Sequence, residues 1–254
     1  MACWLFFGRV LPERLSFQMD RAKTGTAEAQ GFGLAFKFHI WIAAGQFMVD
    51  VNVTRGAPGF LTLRNLVEAN LRNVTDTIGY LHGVSIDIDM ISAANLETNE
   101  RHFFPPGIPV LVQRRQIASP VTVTEDGLLG AIGKDPYAHT VMADFREAMR
   151  NPYDTGFFCY RAIEAMMQSM KTSSDEDEKT SWPRLRGTLH VDIGAIQNVQ
   201  KHAVLRRHGK TGDISGEERE KVLVITDEIT RRYLAYLTRG KTPLPEADFP
   251  MFMG

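Results

Sequence analysis

The spacing of apolar residues changes along this 254-residue chain, and that change constrains the fold more than any other feature. Apolar and polar side chains alternate over residues 34–43 and 47–54, a pattern typical of strands with one buried face, and the turn signal between them predicts a hairpin. Over residues 63–81 the apolar positions recur every three or four residues, which predicts an amphipathic helix of about five turns. Alternation resumes over residues 84–91, and residues 4–10 and 15–19 are predicted as short strands. The first half therefore predicts a mostly antiparallel sheet with one long helix on its apolar face.

Helical spacing dominates the second half of the chain. Predicted helices span residues 138–150, 154–171, 182–189 and 192–207. Ser215, followed three residues later by Glu218, forms a capping box that opens a long last helix, and Gly240 ends that helix. The predicted fold class is therefore α+β, with the sheet region followed by an all-α helical bundle.

The connection between these two regions is rich in proline and glycine. Within it, residues 110–113 and 121–124 are predicted as short strands and residues 127–130 as a loop. We place an α+β domain at residues 1–118. A sensory or regulatory role is expected for this domain, but its sequence does not specify what it senses. The helical domain spans residues 134–254 and includes a docked carboxyl-terminal tail.

Composition narrows the classes of partner. The formal net charge is −1, so contact with nucleic acid requires a local basic patch. Cys3 and Cys159 lack metal-ligand spacing, and no phosphate-binding glycine pattern is present, so neither a metal nor a cofactor is predicted. The apolar amino-terminal run is too short to span a membrane, which predicts a cytoplasmic protein without a membrane partner.

The segment between residues 198 and 209 concentrates imidazole and guanidinium groups. If the helix continues through Arg206, then Asn198, His202 and Arg206 share one of its faces. A structural interpretation is equally open, because cations followed by Gly209 are typical of a helix carboxyl terminus.

A second polar group lies on an earlier predicted helix. Tyr160, Arg161 and Glu164 are neighbours there, because residues three and four apart share a helix face. Across the bundle, Glu164 could orient a cation or an imidazole by a charged hydrogen bond.

The order of these elements over residues 138–240 resembles the HEPN superfamily, helical-bundle domains found in many bacterial conflict and defence proteins. The resemblance rests on residues 160–164, the helix that begins at Trp182 and residues 201–209 before the last helix. It implies a homodimer formed through the bundle and binding or metal-independent cleavage of RNA. In that role His208 acts as general acid or base, while Arg206 and Arg207 hold the phosphate.

This sequence departs from the pattern of active HEPN proteins at one position. Their arginine precedes the histidine by several residues, whereas Arg206 and Arg207 come directly before His208. His202 and His208 could instead form an acid–base pair. The orienting and substrate-binding candidates are Glu164, Tyr160, Arg161 and Asn198.

A function of another class fits the same residues. The chain would then be a non-enzymatic dimeric interaction or ligand-sensing protein whose HEPN-like bundle is catalytically silent. In both interpretations the amino-terminal domain receives a protein or small-molecule trigger.

Overall fold

The computed structural model describes residues 2–15, 18–105, 107–117, 125–173, 176–209 and 214–254. The chain forms two compact units, Met1–Gly107 and Ile108–Gly254. The first unit holds a sheet and a long helix, and the second is helical, so the predicted α+β fold class is confirmed. The division lies within the proline-rich connection.

The first unit is built on a six-stranded antiparallel sheet with the strand order β2-β3-β4-β1-β5-β6. The strands are β1 Cys3–Leu11, β2 Lys23–Ala29, β3 Leu34–Ala43, β4 Gln46–Arg55, β5 Asp87–Asn95 and β6 Arg101–Phe103. The hairpin predicted from residues 34–54 is confirmed, because β3 pairs with β4.

The strands β2 and β6 were not predicted, and one predicted strand was wrong. The β2 segment is made of small and polar residues without apolar alternation, so its extended form depends on pairing with β3. A strand over residues 15–19 is absent from the described positions Leu15, Gln18 and Met19, and residues 16 and 17 lie outside the described ranges.

Helix α1, Phe60–His82, covers one face of this sheet. Its Leu63 and Leu71 are fully buried in the same core as Phe36 and Ile40 of β3. Burying each such side chain contributes roughly 1.5–3 kcal/mol. The core of this unit thus follows directly from the two apolar periods in its sequence.

The second unit contains seven helices within its described residues. They are α2 Pro109–Ile117, α3 Glu125–Ile132, α4 Ala138–Arg150, α5 Thr155–Ser169, α6 Glu178–Leu189, α7 Ile193–Arg207 and α8 Gly216–Thr238. The fully buried Ile229 and Tyr233 of α8 share a core with Ile163 and Met166 of α5.

Two predictions in the connecting segment were wrong. Residues 110–113 lie in α2 rather than in a strand, and residues 127–130 lie in α3 rather than in a loop. Pro109 occupies the first helical position, where its missing N–H breaks no helical hydrogen bond. Proline therefore begins this helix instead of interrupting it. The strand predicted at residues 121–124 falls outside the described residues.

The ends of the last helix follow the sequence closely. Glu218 donates its backbone N–H to Ser215 Oγ at 3.1 Å, and Ser215 returns its N–H to Glu218 Oε2 at 3.3 Å. The predicted capping box is therefore confirmed. Beyond Gly240 the tail lies on the bundle, with Leu244 buried and Phe252 bridging to Val191. Within the described part of the chain, no helix combines the length and apolar character needed to cross a bilayer.

Candidate functional site

The predicted site residues lie around α5 and α7, two helices that approach closely at Gly156. A Cβ placed on Gly156 would lie 2.6 Å from the His202 Cβ, so only glycine fits there. His202 is consequently held half-buried at the contact between the helices. Burial lowers the pKa of its imidazole, because desolvation disfavours the charged form, although the nearby Glu218 acts in the opposite direction.

Arg206 lies one turn beyond His202 on the same face of α7, as predicted from the sequence. Its Nε is 3.2 Å from Asp154 Oδ1. Its guanidinium carbon lies 3.2 Å from the centroid of the Tyr153 ring. Arg206 is therefore engaged with a carboxylate and an aromatic ring next to α5. Asn198, at the other end of this row, is exposed.

Arg207 faces a different part of α5. Its Nη1 donates to Glu164 Oε1 at 3.0 Å, and its guanidinium carbon lies 5.9 Å from the Tyr160 ring centroid. Burial raises the pKa of Glu164, while the charge of Arg207 opposes that shift. The structure thus brings together three of the predicted residues as an ion pair beside an aromatic ring.

Arg161 points away from this group. Its guanidinium binds Asp144 of α4 through two contacts, one of them between Nε and Oδ2 at 2.8 Å. It also lies over the rings of Phe157 and Phe158. Since Asp144 is buried, this pair joins α4 to α5 and does not contribute to a shared site with Arg207.

His208 lies just past the end of α7 and is exposed. Gly209 follows with φ of +66°, and its N–H donates to Arg206 O at 3.0 Å, so the predicted helix end is confirmed. The described residues offer the His208 imidazole neither a hydrogen bond nor an ion pair. The two predicted imidazoles therefore occupy different surroundings.

A groove lies between α5, α6 and α7, beside the Glu164–Arg207 pair. Its cavity volume is about 260 Å³, and it is lined by Tyr160, Trp182, Arg186, Ile193, Ile196, Gln197 and Gln200. The Tyr160 and Trp182 rings stack with centroids 6.2 Å apart and planes inclined by 14°. Gln200 Nε2 donates to the Tyr160 hydroxyl at 3.0 Å. We call this cavity the α5–α6–α7 groove.

Arg186 provides the positive charge among the described residues that line the groove. It is half-buried, and its guanidinium has no hydrogen bond or ion pair with any part of the chain that the structure describes. Arg206 and Arg207, by contrast, each have a carboxylate partner. Across the described ranges, no three histidine, cysteine or carboxylate side chains lie close enough together to hold a metal ion.

Sequence reasoning missed the groove, although part of its signal was present. Trp182 and Arg186 are four residues apart and share one face of α6. Ile193, Ile196 and Gln200 follow the same helical spacing on α7. What the sequence could not supply was the packing that turns these two faces toward Tyr160.

Each structural unit matches one model of a single protein family. Residues 4–104 match the model described as the DUF8168 N-terminal domain, and residues 129–238 match the model of the DUF8168 C-terminal domain. The chain belongs to the DUF8168 family. No curated protein and no solved structure matches this chain. The family is described as a domain of unknown function, so the HEPN resemblance stays a prediction.

Proposed function

We propose that this chain is a cytoplasmic, non-enzymatic sensor protein whose helical unit binds a small ligand in the α5–α6–α7 groove. This proposal rests on one observation: the arginines of the helical unit differ in whether they have a carboxylate partner. The Arg186 guanidinium in the groove has no partner among the described residues, whereas Arg206 and Arg207 are paired with carboxylates. A cation that no described residue pairs with, lying beside stacked aromatic rings, supports recognition of a ligand.

The ion pairs also weigh against phosphate chemistry at the end of α7. A ribonuclease site needs cations aimed at the position where negative charge develops. Arg207 would have to leave Glu164, and Arg206 would have to leave Asp154, before either could bind a phosphate. Each carboxylate therefore competes directly with an incoming anion.

The positions of the histidines support the same conclusion. His202 is fixed at the α5–α7 contact, while His208 lies on the exposed turn after the helix. Residues six apart along a helix are about 9 Å apart along its axis and leave it on different faces, so one α7 does not present the two imidazoles side by side. A paired acid and base must both lie within reach of the reacting group.

A HEPN-type ribonuclease of bacterial defence is the second candidate, favoured by the exposed imidazole of His208. The two functions are separated by incubating labelled single-stranded RNA with the purified protein in the presence of EDTA. The wild type is compared with His208→Ala and with a control, His139→Ala, which removes an exposed histidine on α4. We expect no cleavage above buffer by any of the three. Cleavage that is lost in His208→Ala and kept in His139→Ala would overturn the sensor proposal.

Ligand binding by the groove has its own test. We expect 3-methylindole, a neutral flat molecule, to bind the full chain in calorimetric titration, with Trp182→Ala weakening binding at least tenfold. Trp41→Ala is the matched control, because Trp41 is an exposed tryptophan of β3 in the other unit. Failure of wild-type protein to bind 3-methylindole, or equal affinity in Trp182→Ala, contradicts the proposal.

We further propose that the protein is a homodimer through its helical unit, and that the amino-terminal unit receives a protein or small-molecule trigger. The HEPN resemblance supports the dimer, because such bundles assemble in pairs. Light scattering on the purified chain should give twice the monomer mass of 28.5 kDa. A monomer at micromolar concentration contradicts this part of the proposal.

A further inference from the structure

We infer that the ligand of the α5–α6–α7 groove is a small aromatic carboxylate. This inference rests on the proposed ligand-binding function and adds to it the chemical class of the ligand. It is carried by three properties of the groove: a flat aromatic wall, a cation without a partner in the described chain, and a small volume.

The aromatic wall selects for a flat ring. Trp182 and Tyr160 lie nearly parallel, and Ile193 and Ile196 add apolar surface to the lining. A planar ligand can stack on these rings in an offset arrangement, which aromatic groups prefer over a direct face-to-face one. An extended aliphatic chain gains no comparable stacking.

The charge of the groove selects for an anion. Arg186 is half-buried there, and within the described ranges no acidic side chain forms an ion pair with it. A guanidinium presents parallel N–H donors that match the two oxygens of a carboxylate. Gln197 and Gln200 add side-chain amides to the lining, and each amide NH2 group can donate to the same anion.

The Tyr160 hydroxyl supplies a further polar contact. It accepts a hydrogen bond from Gln200, which fixes its position in the wall. Burial raises the pKa of this phenol, so the hydroxyl keeps its proton at neutral pH and can donate to a ligand oxygen.

The volume limits the size of the ligand. At about 260 Å³ the cavity lies below the range of roughly 300–1,000 Å³ that is usual for drug-sized ligands. A fused ring with a short acidic side chain fits this space. A nucleotide is larger than such a ligand, because it carries a base, a sugar and a phosphate together. A segment of RNA is larger still.

The test compares two probes that share a ring system and differ in charge. Indole-3-acetate and neutral 3-methylindole are titrated calorimetrically into the full-length protein. We expect indole-3-acetate to bind at least tenfold more tightly, because a charged hydrogen bond to Arg186 is added. Arg186→Gln should remove this difference, because it replaces the charged guanidinium by a neutral amide. Lys179→Gln is the matched control, since it removes an exposed cation of the same helix outside the groove lining, and it should keep the difference.

Several results would overturn the inference. Equal affinities for the two probes, or a preference that survives in Arg186→Gln, would contradict the carboxylate class while leaving 3-methylindole binding as support for the groove. Tighter binding of adenosine monophosphate than of indole-3-acetate would contradict the size argument. Failure of both probes to bind would contradict both this inference and the ligand-binding function, whereas failure of indole-3-acetate alone would contradict only the inference.

Discussion

The buried Arg219 of α8 donates from Nε to Thr155 Oγ1 at 2.9 Å, which joins the last helix to the first turn of α5. The same guanidinium donates from Nη2 to the carbonyl of Met149 at 2.7 Å. That carbonyl lies in the last turn of α4, where helical carbonyls have no partner within their own helix. A single side chain therefore connects the helices α4, α5 and α8.

Replacing Arg219 should destabilise the second unit strongly. In Arg219→Met the apolar stem is kept, but the Met149 carbonyl and the Thr155 hydroxyl lose their buried donor. We expect the free energy of unfolding to fall by about 2–4 kcal/mol in urea titration. Arg239→Met, at the exposed end of α8, is the control and should change it by less than about 0.5 kcal/mol. Equal losses in both variants would refute the role of the buried contacts.

The second prediction concerns the stability that depends on the close contact between Gly156 and His202. In Gly156→Ala the new methyl group would meet the His202 Cβ at 2.6 Å and its carbonyl oxygen at 2.9 Å, so α5 and α7 must separate. We expect a loss of about 1–3 kcal/mol in thermal or urea unfolding. Gly187→Ala on α6 is the matched control, because its added Cβ meets open space. Alanine is a better helix former, so the control should gain up to about 1 kcal/mol.

The third prediction concerns the dependence of stability on pH. Burial by itself would raise the pKa of Asp135, but hydrogen bonds from Ser169, Lys241 and Tyr233 outweigh it and hold the pKa below its usual 3.8. A depressed folded-state pKa stabilises the fold above the unfolded-state value, and the stabilisation is lost as the pH falls through the folded value. Asp135→Asn should therefore cost about 1–3 kcal/mol at pH 7 and progressively less below about pH 4.

Urea titrations at several pH values check this prediction. Asp76→Asn, an exposed position on α1, serves as the control and should show no comparable convergence with wild type. A difference between wild type and Asp135→Asn that stays constant from pH 7 to pH 3 would rule out the carboxylate as its source.

The fourth prediction concerns thiol reactivity. Burial raises the pKa of Cys159 to about 12, against smaller opposing effects from Thr226 and Arg219. At pH 8 only about one Cys159 in 10,000 is then a thiolate, and the thiol is also enclosed. A thiol-disulfide reagent should detect at most one cysteine in the native protein and two after denaturation. In Cys3→Ala the native protein should give none, and a rapid reaction there would contradict the burial of Cys159.

Much of the fold could be predicted because burial imposes a period on the sequence. The alternation over residues 34–43 marked β3 at its observed limits, and the helical spacing over 138–150 did the same for α4. The limits of β2 could not be predicted, since a polar edge strand buries little and its form depends on its neighbour. The helices α2 and α3 were obscured by proline and glycine, whose effect depends on their position in a helix.

The candidate site was likewise predictable from the sequence only in part. Sequence spacing correctly placed Asn198, His202 and Arg206 on one face of α7, because helical geometry is local. It could not show that Arg206 faces Asp154 or that Arg207 faces Glu164, since those partners lie more than forty residues away along the chain. The separate position of Arg161 on Asp144 is likewise a tertiary result.

The amino-acid sequence by itself determined the two regions, the identity of most helices and the ends of α7 and α8, because each depends on residues within a few turns of one another. Tertiary packing alone decided which of Arg186, Arg206 and Arg207 lacks a carboxylate partner among the described residues. Arg206 and Arg207 approach carboxylates of α5 and its preceding turn, whereas Arg186 faces a groove where the described lining offers it none. A charged side chain is fixed by the partner within its reach, and that partner is known only once the helices are packed.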